Sequence, residues 1–248
     1  MRDKVLIVTA STGIGAATAR LAAERGAHVV LASSDSESAW ELASETGAEV
    51  WIGDLTRPQS ADSVIGVALS KFARVDAVFN AAGLSGRRYG DGPVHECTDE
   101  GWEITLNQNL TTVFQMCRAA VNRMLEQQPG EDGLRGAILN IGSVLASSPE
   151  PENFATHAYA AAKGAVEALT RNMAAYYAPH KIQVNALAPA AIQTQAVQQS
   201  HGPLEDFLKK KQPLTEGLIG VQHVARAALF LLNSPAITGQ TLRIDAGW

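Results

Sequence analysis

A tyrosine and a lysine four residues apart, Tyr159 and Lys163, stand in the alanine-rich run His157 to Gly164. Alanine is the strongest helix former, so the run is expected to be helical, and an i,i+4 pair then projects from one helix face. A phenol loses its proton near pH ~10 in water, and an ammonium beside it favours the phenolate. A tyrosine so placed has the chemistry of a general acid or base. The same spacing also arises on an ordinary solvated helix, so the pair needs partners from elsewhere in the chain.

The totals narrow where those partners come from. At 248 residues and 46% apolar content the chain is long enough to bury a core without covalent staples. A formal charge of -5, with Lys209-Lys210-Lys211 as the lone basic cluster, argues against nucleic acid as a partner. Cys97 and Cys117 form neither a metal-ligand spacing nor a disulfide framework, which fits a reducing cytosol and predicts no metal site. No apolar signal segment precedes the first strand, and no apolar run reaches the ~18 residues of a membrane span. The expectation is a cytoplasmic protein with no membrane partner.

The chain then alternates strands and helices. Val5 to Val8 reads as a strand buried on both faces, and Thr9-Ala-Ser-Thr-Gly-Ile-Gly15 leads into a helix with Ile14, Thr18, Leu21 and Ala22 on one side. A strand, glycine turn and helix in that order either cradle a pyrophosphate on backbone N–H groups or simply make a tight turn. Strand His28 to Ala32 runs into Ser33-Ser34-Asp35, and strand Glu49 to Ile52 precedes Asp54, which is placed to bond an adenine amino group or to form a turn. Thr56 to Gln59 reads as a capping box opening a helix, and strand Val75 to Phe79 enters the small-residue turn Asn80-Ala-Ala-Gly83.

A long helix is expected over Glu100 to Gln127, with Asn109 in its middle, where an amide competes with backbone hydrogen bonds. Strand Ala137 to Ile141 ends in Gly142-Ser143, helix His157 to Ala178 follows, and strand Ile182 to Ala188 stops at Pro189. The polar segment from about 191 to 216 reads as a substrate lid with one short helix near Leu204 to Lys211; helix Val221 to Leu232 and strand Thr241 to Ile244 close the chain. The alternation implies an α/β fold: one domain over 1-248, with a parallel sheet of about seven strands and helices on both faces.

With Thr9-x-x-x-Gly13-x-Gly15, Asn80-Ala-Ala-Gly83, Asn109, Ser143 and Tyr159-x-x-x-Lys163 in this order, the sequence resembles the short-chain dehydrogenase/reductase family. The resemblance implies a doubly wound Rossmann-type domain and hydride exchange between a nicotinamide and a secondary alcohol or ketone. By the same comparison Tyr159 handles the proton at the substrate oxygen and Ser143 bonds that oxygen. Lys163 holds the nicotinamide ribose and lowers the tyrosine's pKa, and Asn109 holds a water linking Lys163 to solvent. The implied cofactor contacts are Thr9, Ser11, Gly13, Ile14, Gly15, Ser33, Ser34, Asp54, Leu55, Asn80, Ala81, Gly83, Tyr159, Lys163, Pro189, Ile192 and Thr194. Similar proteins form homo-oligomers, tetramers or dimers, which suggests that Trp248 packs against another subunit.

Three departures stand out: Ala10 for a glycine of the phosphate turn, Ala190 for the glycine after Pro189, and extra residues around Ser147 to Glu152 that reshape the rim before Tyr159. No Arg or Lys follows the second strand, and Asp35 and Glu37 repel a 2′-phosphate, which favours NAD. The alternative is NADP, with Ser33 and Ser34 bonding the phosphate neutrally. Arg87 and Arg88 are either a solvated pair or a steering patch for an anionic substrate. Two further readings are a catalytically inactive nicotinamide-binding sensor or interaction protein, and a 3-oxoacyl carrier-protein reductase.

Overall fold

The computed structural model describes residues 1–194 and 204–248. Seven parallel strands form one sheet: β1 (Val5–Val8), β2 (His28–Ser33), β3 (Glu49–Ile52), β4 (Ala77–Asn80), β5 (Gly136–Ile141), β6 (Ile182–Pro189) and β7 (Thr241–Ile244). Their order is β3-β2-β1-β4-β5-β6-β7. β1 pairs with β2 on one side, Val5 opposite His28, and with β4 on the other, Leu6 opposite Ala77. The order therefore reverses between β1 and β4, the place where an open α/β sheet leaves a crevice at its carboxyl edge.

The all-apolar strands follow from burial on both faces. Successive side chains alternate, so Val5 and Ile7 enter one core layer while Leu6 and Val8 enter the other. The first layer is closed by α3 (Ser60–Phe72), α5 (Thr112–Glu126) and α6 (His157–Tyr177) through Val64, Met116, Met124 and Val166. The second is closed by α1 (Gly13–Glu24), α2 (Ser36–Thr46) and α8 (Val221–Leu232) through Ala19, Leu42, Val224 and Leu229. Among the described residues the remaining α-helices are α4 (Asp99–Leu106) and α7 (Glu205–Lys211).

Two expectations are corrected. The helix foreseen from Thr56 begins instead at Ser60, because the Asp54 carboxylate accepts both the Thr56 N–H, at 2.9 Å, and the Thr56 hydroxyl, at 2.7 Å, and holds that stretch as a turn. The single helix foreseen over Glu100 to Gln127 is broken by a π-helical turn at Asn107–Thr111 between α4 and α5. Such turns hold an extra residue and often mark functional positions.

Of the segment read as a lid, residues 195–203 lie outside the described residues. The described part holds α7 and a parallel bridge between Ile192 and Ile219. Gln212, fully buried after α7, ties the two sides: its Oε1 accepts the Ala191 N–H at 2.7 Å, and its Nε2 donates to the carbonyls of Ala191 at 3.1 Å and Gly217 at 2.6 Å. Among the described residues no helix is long and apolar enough to cross a membrane.

Candidate active site

α6 brings its first turn to the carboxyl edge of the sheet, beside the end of β5. Its N-cap residue, Thr156, makes no side-chain cap bond. The cap comes from the loop after β4, where the buried Asp91 carboxylate accepts the N–H groups of Ala158 and Tyr159, each at 3.0 Å. A carboxylate there satisfies two otherwise orphaned donors and lies at the positive end of the helix. Asp91 thus orients the turn that carries Tyr159. Nothing in the local pattern flagged it, because a cap supplied across 67 residues leaves no local signature.

Ser143 follows β5 and caps a short 3-10 turn at Val144–Ala146, its oxygen accepting the Leu145 N–H at 3.2 Å. The Ser143 side chain lies near enough to the Tyr159 phenol to favour its ionised form, so the extra residues between them do not separate the pair. One turn further along α6, the Lys163 side chain is 2% exposed; its Nζ donates to the Ile141 carbonyl at 3.0 Å and lies 5.5 Å from the centre of the Tyr159 ring.

Burial pushes the Tyr159 phenol above its ordinary range, and the Ser143 side chain opposes that rise. Burial also pushes the Lys163 ammonium down to about 7. The lowered tyrosine pKa implied by the resemblance is therefore not the direction found. Desolvation penalises the phenolate and the ammonium alike, and it is the largest cause of both shifts.

The π turn explains Asn109. With the backbone ladder displaced, its Nδ2 donates to the Thr105 carbonyl at 2.9 Å and to the Leu84 carbonyl at 2.9 Å, while its Oδ1 accepts the Leu84 N–H at 3.2 Å. Asn109 therefore splices the helix to the loop after β4. A Cβ built on Gly83 would lie 2.7 Å from Asn109 Oδ1 and 3.3 Å from Lys163 Nζ, so the bare glycine marks where both side chains converge. Asn109, Ser143, Tyr159 and Lys163 are assembled around the carboxyl ends of β4 and β5.

The expected cofactor residues line the adjoining edge in varied ways. Gly13 has a left-handed backbone, φ +53°, and a Cβ there would meet Thr194 Cγ2 at 3.2 Å, so the glycine turn and the segment after β6 face one another. Gly15 packs on Ala10, and Ile14 lies half-buried against the second core layer. The Thr9 hydroxyl is taken by the N–H groups of Ala81 and Ala82, at 3.0 and 3.1 Å, so it shapes the Asn80 to Gly83 turn.

Asn80 Nδ2 donates to Asn140 Oδ1 at 2.8 Å, and its Oδ1 is buried without a partner. Thr9, Leu55, Asn80 and Ala82 meet Thr112, Val113 and Met116 across a narrow gap that leaves no room for a water molecule. Val113 and Met116 belong to the first core layer, as their place on the helix stripe predicts. Asp54 is half exposed, 3.6 Å from Arg57, and acts as the turn former described above. Pro189 ends β6, and Ile192 is buried in the bridge to Ile219.

At the end of β2 the Ser11 hydroxyl lies 2.7 Å from those of both Ser33 and Ser38, and Ser33 also accepts the Asp35 N–H at 3.0 Å. Ser34 and Asp35 are exposed, and the Ser38 hydroxyl and N–H hold the Asp35 carboxyl below its usual range.

Trp248 was expected against another subunit. Within its own chain its ring lies 5.7 Å from Phe154 and 5.9 Å from Phe207, with Nε1 donating to the Ser148 carbonyl at 3.4 Å. Among the described residues no group of three or more His, Cys, Asp or Glu is arranged to hold a metal ion.

Strand order and the polar side chains gathered at the carboxyl edge define a doubly wound α/β protein with a candidate ligand site at that edge. A family model described as enoyl-(acyl carrier protein) reductase matches residues 8–248. A 3-oxoacyl-[acyl-carrier-protein] reductase of Bos taurus is 33% identical over 99% of this chain and 98% of its own length. A 3beta-hydroxysteroid dehydrogenase 1 of Eggerthella lenta is 32% identical over 100% and 94%. A crystal structure described as a ribose-5-phosphate isomerase from Brucella melitensis 16M superposes with a TM-score of 0.89 at 29% identity, covering 100% of this chain and 93% of that one. The chain belongs to the short-chain dehydrogenase/reductase family and is an oxidoreductase.

Proposed function

We propose that this oxidoreductase interconverts a secondary alcohol and its ketone with a nicotinamide dinucleotide, and that Tyr159 is the general acid and base. The observation that carries the reading is the junction of Ser143, Tyr159 and Lys163 beneath the exposed Gly83. The residues present fit such a cofactor: a left-handed glycine at a helix start, the unpartnered Asn80 Oδ1 at the end of β4, and a bare glycine above Lys163. The nicotinamide, when bound, supplies or takes the hydride.

The chain's own groups do the rest. Ser143 donates to the oxygen that Tyr159 protonates or deprotonates, and its nearness to the phenol sets the two side chains around one position. Lys163, pushed down to about 7, exchanges its proton readily near neutral pH and refills the phenol. Asn109 holds Leu84 and so the loop that closes over Lys163.

NAD is the preferred form of the cofactor in this proposal. The Ser33 hydroxyl is already engaged by Ser11 and the Asp35 N–H, while the exposed, ionised Asp35 would repel a 2′-phosphate. The names of the bovine and other relatives favour 3-oxoacyl carrier-protein reduction as the second reading within the class. A dimer or tetramer is also part of the proposal, supported by the exposed Trp102, Phe114 and Tyr176 on α4, α5 and α6.

The test is Tyr159→Phe, with turnover and NAD-induced thermal shift measured together. Turnover should fall by ~10³-fold or more while the shift persists. Full activity in the variant removes the mechanism, and a larger shift with NADP overturns the cofactor preference.

A further inference from the structure

We propose that Arg87 and Lys211, mounted on the rings of Phe154, Phe207 and Trp248, form an anion-recognising rim that takes the carboxylate or phosphate of an anionic alcohol or ketone. This rests on the reading of Tyr159 as the group that meets the substrate oxygen.

Four distant segments build the rim: the loop after β4, the extra residues before α6, α7, and Trp248. The three rings pack together, with Phe154 6.2 Å from Phe207 and 5.7 Å from Trp248, and Phe207 5.9 Å from Trp248. Each cation sits on this cluster. The Arg87 guanidinium lies 5.8 Å from the Phe154 centre, and Lys211 Nζ lies 5.9 Å from Phe207 and 5.4 Å from Trp248. An aromatic face removes water from one side of a cation without neutralising it, which leaves its charge directed to whatever approaches from the other side.

Neither cation forms an ion pair among the described residues, and several nearby carboxylates are taken by other partners. Glu150, buried, accepts the N–H groups of Asn153 at 2.6 Å and Glu152 at 3.4 Å. Asp245 pairs with Arg243 at 2.8 Å, and the Trp248 backbone oxygen also accepts from Arg243, at 3.3 Å. Glu205 pairs with Lys209 at 2.7 Å, and Asp206 and Glu216 act on that same lysine. Arg87 donates one bond, to the Asn153 carbonyl, which fixes its plane and leaves its other N–H groups for a forked contact with an anion.

The rim is tied to the reacting groups at both ends of the Arg87 loop. Leu84, near its start, is held by Asn109, and Asp91, at its end, holds the Tyr159 N–H. Phe154 stands two residues before Thr156, the N-cap of the helix that carries Tyr159. Arg87 and Phe154 thus stand on the same two segments that hold the first turn of α6, and in the proposal an anionic group held there leaves the rest of the substrate for Tyr159. In a chain of net charge -5, such a mouth also guides anions to one place.

The test uses matched pairs that differ in charge: 4-oxopentanoate against its methyl ester, and dihydroxyacetone phosphate against dihydroxyacetone. They are reduced by the wild-type enzyme and by a variant carrying Arg87→Met and Lys211→Met, whose stems still cover the rings. At least one anion should exceed its neutral partner tenfold or more in kcat/KM, and the double variant should lower that ratio at least tenfold. The pair that responds tells carboxylate from phosphate. In parallel, calorimetric titration of both anions into the cofactor-loaded proteins should show at least tenfold weaker binding to the variant. Equal or better use of the neutral partners, or a ratio and affinity the variant leaves alone, overturns the rim. Rim-dependent binding with no turnover of any compound instead overturns the proposed reaction and keeps the rim.

Discussion

Removing the Asp91 carboxylate tests whether the active-site helix is held from outside itself. Asp91 is 5% exposed and accepts two N–H groups at 3.0 Å in the first turn of α6, a helix whose own cap residue makes no side-chain bond. A lost N-cap costs ~1 kcal/mol, a lost anion at a helix N-terminus about 1 kcal/mol, and a buried donor left bare roughly 1–3 kcal/mol. These overlap, so Asp91→Ala should destabilise the protein by ~3 kcal/mol, a Tm loss of roughly 6–12 °C for a chain of this size. Asp91→Asn keeps one acceptor and loses the charge, so it should cost about half as much. Urea unfolding at pH 7.5 with an unchanged m-value measures both. Because the second N–H belongs to Tyr159, kcat should fall while cofactor affinity is retained. The reasoning is refuted if Asp91→Ala changes stability by under ~0.5 kcal/mol, or if Asn costs as much as Ala.

Burial of Lys163 predicts a pH dependence of stability. In the unfolded chain the lysine keeps its proton to pH ~10.4, whereas in the fold it gives it up near 7. The unfolded state thus binds more protons between these values, and stability rises with pH across that window at up to about 1.4 kcal/mol per unit. Lys163→Met should flatten the wild-type slope measured by urea unfolding from pH 7.5 to 9.5; parallel slopes would place the charge elsewhere. At the phosphate turn, a Cβ on Gly15 would lie 2.6 Å from Ala10 Cβ and 2.8 Å from the Ala10 carbonyl oxygen. Gly15→Ala should therefore cost ~2 kcal/mol, roughly 4–8 °C in Tm, and no change in a melting curve would show that the turn yields freely.

The alternation of apolar strands with amphipathic helices was legible from residue types alone, because period 2 and period 3.6 leave local marks. Helix Val221–Leu232 and strand Thr241–Ile244 lie where the pattern puts them. Tyr159, Lys163 and the glycine turn were legible for the same reason: their meaning lies in spacing along a few residues. Asn109 was visible as an oddity, an amide in the middle of a helix, but its π turn was not, since the hydrogen bonds that reward it come from Leu84, 25 residues away.

What sequence by itself determined is therefore the fold class, the order of its elements and the identity of the polar groups at the strand ends. Only the tertiary structure decided how those groups are held. Asp91 caps a helix it does not belong to, Gln212 ties Ala191 to Gly217, and Trp248 packs on Phe154 and Phe207. It also reversed the expected direction of the Tyr159 shift, for desolvation is a property of everything packed around a group, and no spacing along the chain encodes it.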